Sequence, residues 1–298
     1  LKMASAKVDP SKVRGAVLAE GTYTFDKMGS ILYALGIGFS KDPMNREHYK
    51  FTYENEEGFT TFPTMPVLTL AGAIDKLFSI PGMPSFNPMM LLHGEQTVIN
   101  YKPIPPGTET KIKAIATDIA DKGKGALLTV TIQALSLTGE KYADAIFRFF
   151  VRGLGGFGDK GLDTTQSIPS SIPKRQPDFV IEDTTTANQA ILYRLSGDIN
   201  PLHIDPNMAA MGGFDKPILH GLCSYGIATR LIYDKYCNGD PTLIKSVSAR
   251  FTSHVFPGET FVLEAWKEGN TIIFETKTKE RGKSTVVGAL ELRQEAKL

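Results

Sequence analysis

Three segments of this chain occur twice. Ile31-Leu32-Tyr33-Ala34-Leu35-Gly36 returns as Ile191-Leu192-Tyr193-Arg194-Leu195-Ser196, 160 residues later. Pro66-Val67-Leu68 returns as Pro217-Ile218-Leu219, and Pro106-Gly107 as Pro257-Gly258, both 151 residues later. Three ordered matches, two of them sharing one offset, mark an internal duplication. A duplicated chain folds as two copies of one unit, and 298 residues give each copy the length of an ordinary domain. Between the copies the pattern breaks down. Gly153, Gly155, Gly156, Gly158 and Gly161 crowd together ahead of Ser/Thr-rich sequence with Pro169 and Pro173, a linker composition. The expected division is therefore a first repeat over 1–152, a linker over 153–176 and a second repeat over 177–298.

The second repeat reads in more detail. Thr186 and Gln189 are spaced as a capping box, and Ala187, Ala190, Ile191 and Leu195 follow with helical spacing. A short helix follows, with Asp205 as cap, Pro206 at its first position and Gly212 past its end. From Leu222 to Tyr236 the sequence is apolar on most faces, which predicts a buried helix. Four strands are expected near 244–255, 259–267, 270–279 and 284–293, separated by turns at Pro257-Gly258, Gly269-Asn270 and Gly282. A long buried helix followed by an antiparallel meander is the outline of a sheet wrapped around a helix. Residues 61–80 followed by 95–152 repeat that outline, so the fold class is α+β.

Composition excludes several functions. With 33 basic and 32 acidic side chains the net charge is +1, without the basic excess of a nucleic-acid binder. Cys223 and Cys237 are too few for a disulfide framework or a cysteine metal site, and a reducing compartment is the simpler reading. No apolar run has membrane-spanning length. The start, Leu1 to Pro10, lacks the apolar core of a secretory signal, and a first residue other than Met is expected of a piece of a longer polypeptide. The last residues, Ala296-Lys297-Leu298, are a close variant of the Ser-Lys-Leu peroxisomal address.

The most unusual stretch is Tyr193-Arg-Leu-Ser-Gly-Asp198-Ile-Asn200-Pro201-Leu-His203-Ile-Asp205. Pro201 keeps it out of a helix interior, so Asp198, Asn200 and His203 share a loop between two helices and can converge on one point. Asp198 and Asn200 also suit a plain turn, since both residue types hydrogen-bond their own backbone. A calcium loop fails, because its sixth position is His203 rather than Gly and its twelfth is Ala209 rather than Glu. A zinc site would have only His220 as a further local ligand, and no metal is expected.

The run from Tyr193 to Ala209 resembles the signature of type-2 enoyl-CoA hydratases and MaoC-like proteins. It matches at Ser196-Gly197-Asp198, Asn200-Pro201-Leu202-His203 and Ala209. Pro217-Ile-Leu-His220-Gly221-Leu222, Arg250-Phe251, Pro257-Gly258-Glu259-Thr260, Leu92-His93-Gly94 and Asp121-Lys122-Gly123 extend the resemblance over essentially the whole chain. It is nearest to the hydratase-2 unit of the peroxisomal multifunctional enzyme of β-oxidation and its stand-alone relatives. The resemblance implies a double hot-dog fold in which only the second repeat is catalytic and the first accommodates the acyl tail. At the 160-residue offset Asp198 faces Gly38 and His203 faces Pro43, so the first half lacks both groups.

The implied reaction hydrates a trans-2-enoyl-CoA to a (3R)-3-hydroxyacyl-CoA, with CoA as part of the substrate and no separate cofactor. Such a site holds one water, manages its proton and stabilises an enolate-like oxygen. Asp198 is favoured as the acid/base with His203 binding the same water, and Asn200 orients substrate or water. Gly221, at the start of the buried helix, is the candidate oxyanion donor, or else a packing glycine. His93, Gly94, Lys122 and Phe251 match positions that contact the CoA ester; apart from the resemblance, Lys122 reads as a surface charge. A homodimer, a peroxisomal location and recognition by the import receptor are also implied. An acyl-CoA thioesterase and a non-catalytic acyl-CoA-binding module are the rival readings.

Overall fold

In a computed structural model of the chain, residues 7–162, 168–169 and 171–293 are described. Ala296, Lys297 and Leu298 lie outside them.

Among the described residues, ten strands form one antiparallel sheet. They are β1 (Ala16–Phe25), β2 (Leu91–Asn100), β3 (Thr108–Asp121), β4 (Gly125–Leu135), β5 (Lys141–Arg152), β6 (Phe179–Thr184), β7 (Ile244–Phe251), β8 (Thr260–Glu268), β9 (Thr271–Thr278) and β10 (Ser284–Leu292). The spatial order is β1-β3-β4-β5-β2-β7-β10-β9-β8-β6. If each strand is replaced by the one five places along the chain, the order reads the same from either edge. The sheet is therefore two copies of one five-stranded unit, joined where β2 pairs with β7 from Glu95–Arg250 to Ile99–Ser246. The duplicated Pro-Gly turns carry the same conformation, with φ of 92° at Gly107 and 94° at Gly258, values that favour glycine.

The α-helices among the described residues are α1 (Pro10–Val13), α2 (Lys27–Gly36), α3 (Tyr49–Thr52), α4 (Gln189–Arg194), α5 (Pro206–Met211) and α6 (Gly221–Tyr236). The expected buried helix is α6: every residue from Leu222 to Tyr233 is buried. Strand β9 alternates with period two, burying Ile272, Phe274, Thr276 and Thr278. The duplicated segments at 31 and 191 fall on α2 and α4, which pack together with Tyr33 and Tyr193 at 6.1 Å.

The first half departs from expectation at its centre. Residues 61–80 form no long helix; they wind into two 3-10 segments, Met65–Gly72 and Ile74–Phe78. Pro66 lacks a backbone donor, and the Thr69 hydroxyl returns to the Pro66 carbonyl at 2.7 Å, offering the main chain an alternative to helical bonding. The described part of the linker is tied to the sheet. Leu162 N–H donates to Asp118, Gly158 N–H donates to Asp121, and the Trp266 indole donates to the Arg175 carbonyl.

Candidate active site

The chemistry-bearing loop runs from the end of α4 to the start of α5. Asn200 caps a 3-10 turn over Pro201–His203, its Oδ1 accepting from Leu202 N–H at 3.1 Å. Asp205 caps α5 in the same way. The turn-forming role weighed for Asn200 is thus present in its carbonyl oxygen, while its side-chain amide stays available.

A strap from Pro217 to Gly221, just before α6, wires this loop together. His203, 9% exposed, places Nδ1 2.9 Å from the Ile218 carbonyl oxygen. A carbonyl only accepts, so Nδ1 carries the proton and Nε2 is left as an acceptor. His220 places Nε2 3.1 Å from the Asp198 carbonyl oxygen, so its own acceptor is Nδ1, which is buried without a partner. Leaving such an acceptor unmatched costs on the order of 1–3 kcal/mol. The two imidazole rings lie 3.7 Å apart, inclined by 30°. One polar atom each of Asp198, His203 and His220 lies within 4.8 Å of those of the other two.

Burial keeps both rings neutral. It pushes His203 below the usual histidine range, against the pull of the Asp198 carboxylate, and pushes His220 down to about 2. Three such ligand atoms so close together could also hold a metal ion. A water donating to two acceptors spans about 4.6 Å between them, within the 4.8 Å limit on the separation of these atoms.

Gly221 is the first residue of α6, where N–H groups have no helical partner and the helix dipole favours negative charge. A methyl group on Gly221 would meet the Phe251 ring at 3.4 Å. Phe251 in turn lies 5.1 Å from His93, which also packs on Phe147 and Phe149. Contacts therefore run continuously from Asp198 through the two histidines, Gly221 and Phe251 to His93. Gly94 explains how His93 reaches this face. Between His93 and Glu95 the pairing of β2 with β5 slips by one residue, a bulge that turns both His93 and Gln96 inward. Burial lowers the His93 pKa to about 4, and its Nε2 has no partner.

Lys122 is not part of this cluster. It is exposed on the turn joining β3 to β4, at the same end of the sheet as His93 but three strand spacings away, about 14 Å. Asp121 fixes that turn by accepting from the N–H groups of Gly123 and Gly158.

The sequence assigns no part in the reaction to two groups of this site: the Ile218 carbonyl, which sets the His203 tautomer, and His220, weighed there only as a metal ligand. The available signal was the His-Gly pair immediately ahead of a buried helix, since an imidazole there is placed to reach back to an upstream loop.

The fold is that of an α+β double hot-dog protein, with the Asp198, His203 and His220 cluster in one of its two halves. Residues 169–289 match the model of the MaoC like domain, and residues 23–153 that of the MFE-2 hydratase 2 N-terminal domain. A solved MaoC-like dehydratase from Phytophthora capsici superposes with a TM-score of 0.85 at 40% identity, covering 96% of this chain and 99% of that one. A Mycobacterium tuberculosis protein described as a double hotdog fold shares the fold at 9% identity, with a TM-score of 0.53, over 98% of this chain and 97% of that one. The probable enoyl-CoA hydratase 2 of Dictyostelium discoideum is 43% identical over 92% of this chain and 93% of its own length. The peroxisomal enoyl-CoA hydratase 2 of Arabidopsis thaliana is 38% identical over 93% of both. The mouse peroxisomal multifunctional enzyme type 2 is 40% identical over 92% of this chain, which spans 37% of that protein's length. The chain belongs to the enoyl-CoA hydratase 2 family of MaoC-like proteins.

Proposed function

We propose that the protein is a hydro-lyase that adds water across the double bond of a trans-2-enoyl-CoA, giving the (3R)-3-hydroxyacyl-CoA of fatty-acid β-oxidation. The observation that carries this reading is the convergence of the Asp198 carboxylate with the imidazole of His203, whose Nε2 is a neutral acceptor, ahead of the free N–H groups of α6. One water donates to both acceptors and keeps a lone pair for Cβ. As its oxygen bonds to Cβ, one water proton passes to Asp198 and electron density moves to the thioester oxygen, which the Gly221 N–H receives. Protonation at Cα from the same carboxyl restores the thioester, so the sum is one water added. Asn200 orients the substrate through its side-chain amide.

His93, Gly94 and Phe251 face the pantetheine and acyl part of the substrate, and Lys122 reaches for the CoA phosphates from the far turn. The acyl tail extends into the first half, where Ile74, Phe78, Met89, Met90 and Leu92 are exposed beside a loosely wound central segment. The protein acts as a homodimer in the peroxisome, imported through its receptor; the names of the Arabidopsis and mouse relatives support that location. No described helix is long and apolar enough to cross a bilayer.

The test is hydration of enoyl-CoAs of graded length with chiral analysis of the product. Loss of the enoyl absorbance without release of thiol supports the reading. Thiol release would make the protein a thioesterase, and tight binding without turnover a binding module.

A further inference from the structure

His220 has an expensive arrangement for a residue that only packs. It is 1% exposed, it carries an acceptor nitrogen with no partner, and its ring stacks on His203. A phenyl ring would fill the same space without an unmatched acceptor. The imidazole supplies two things phenyl cannot: an N–H for the Asp198 carbonyl, and one rigid plane that touches both members of the acid–base pair at once. The first half gives the contrast. At the 151-residue offset His220 faces Thr69, whose hydroxyl turns back to its own segment at Pro66. Where there is no acid–base loop, there is no brace.

We propose that His220 is a positioning residue for hydration: its Nε2–H fixes the main chain at Asp198 while its ring holds the His203 imidazole at the distance one shared water requires. This rests on the hydratase reading. The groups facing the His203 ring are Asp198 from its own loop and His220 from the start of α6, with Arg194 of α4 beyond His220. Removing the His220 ring opens His203 to water and relieves the burial that keeps it neutral.

The experiment compares His220→Phe, which keeps a ring and loses the donor, with His220→Gln, which keeps an N–H donor and loses the ring. A misplaced catalytic group costs about 10²-fold in rate, so His220→Phe should lower kcat by about that factor with KM within about threefold. His220→Gln should recover part of the loss. In NMR titrations of the His203 imidazole, His220→Gln should raise its pKa towards the ordinary 6.5, a readout independent of turnover. If the wild type fails to hydrate any enoyl-CoA, the functional reading falls while the titration still tests the brace. If His220→Phe does not fold, His220→Gln alone decides. Wild-type kcat in the folded variants, a change confined to KM, or an unmoved His203 titration in His220→Gln would each overturn the proposal.

Discussion

The segment after α2 and the segment after α4 begin as the same structure and end as opposites. After α4 the loop leaves polar atoms without protein partners and gathers Asp198, His203 and His220 at one point. After α2 the chain is instead tied to protein partners at Ile37, Gly38 and Lys41. The Ile37 carbonyl accepts from buried Arg230 of α6 at 3.0 Å, and Arg230 also pairs with Asp183 and Asp234. Lys41 closes the network on Asp183 at 2.7 Å, and Gly38 lets the chain pass against the Arg230 guanidinium. Even the paired tyrosines diverge: the Tyr33 hydroxyl donates to Thr64, whereas that of Tyr193 is buried without a partner. One copy of the loop was completed as structure and the other kept incomplete, which is the signature expected where a substrate and a water supply the missing partners.

The sharpest way to break this contrast is to remove the acid–base groups. Asp198→Asn and His203→Ala should each lower kcat/KM for a medium-chain enoyl-CoA by about 10²- to 10⁴-fold, with the fold intact by circular dichroism. In the first half, Gly38→Ala should leave hydration per folded molecule near wild type. Near-normal turnover of either second-half variant would mean that the two loops do not differ in the way their geometry implies.

The next effect belongs to the completed loop. Arg230→Met removes the cation from a buried network and leaves Asp183 with Lys41 alone, so unfolding in urea should show a loss of about 3 kcal/mol. Turnover of the remaining folded protein should stay close to wild type. A tenfold loss of kcat at unchanged stability would place Arg230 with the chemistry and undo the distinction.

Acid should act on the buried histidines of the site. Burial holds the pKa of His93 at about 4 and of His220 at about 2, both below the 6.5 of an unfolded chain. Below 6.5 the unfolded state therefore binds more protons than the folded one, so stability is full above that pH and declines as pH falls. The decline runs to about pH 4 for His93 and continues towards pH 2 for His220. Each ring contributes about 1.4 kcal/mol per pH unit in its window. His93→Phe should flatten the stability–pH curve by about that amount between pH 6 and 4. An unchanged slope would show that the unfolded protein does not gain the expected proton there.

How far the sequence could carry this comparison depends on what each signal was made of. The duplication was legible because turns such as Pro106-Gly107 and packing helices such as Ile31–Leu35 keep their residues for backbone and core reasons. Helix α6 and the central strands were legible from their apolar patterns. The edge strands β1 and β6 were not, because an edge strand is solvated and shows little alternation; β1 buries only Leu18 and Phe25. The long first-half helix was a misreading, since an apolar stretch cannot report that Pro66 and Thr69 divert its backbone bonds. At the site, the loop residues could be listed but not their wiring. A carbonyl such as Ile218 O has no sequence signature, and His220 acts on Asp198 from 22 residues away. The inward turn of His93 depends on a bulge that Gly94 allows but does not announce.

The smallest effect tests whether the two copies still share a scaffold beneath their different loops. Gly107 and Gly258 occupy the same turn at φ of 92° and 94°, and a methyl group at either meets no other atom within 4 Å. The cost of alanine is therefore backbone strain alone, about 1–2 kcal/mol at each site. Gly107→Ala and Gly258→Ala should lower the thermal midpoint by similar amounts, and the double variant by their sum, since the turns sit in separate halves. Equal costs mean that selection on the loops left the turns untouched. A much larger loss at Gly258 would show instead that the second half is the more strained of the two, with the asymmetry reaching beyond the loop into the scaffold that holds it.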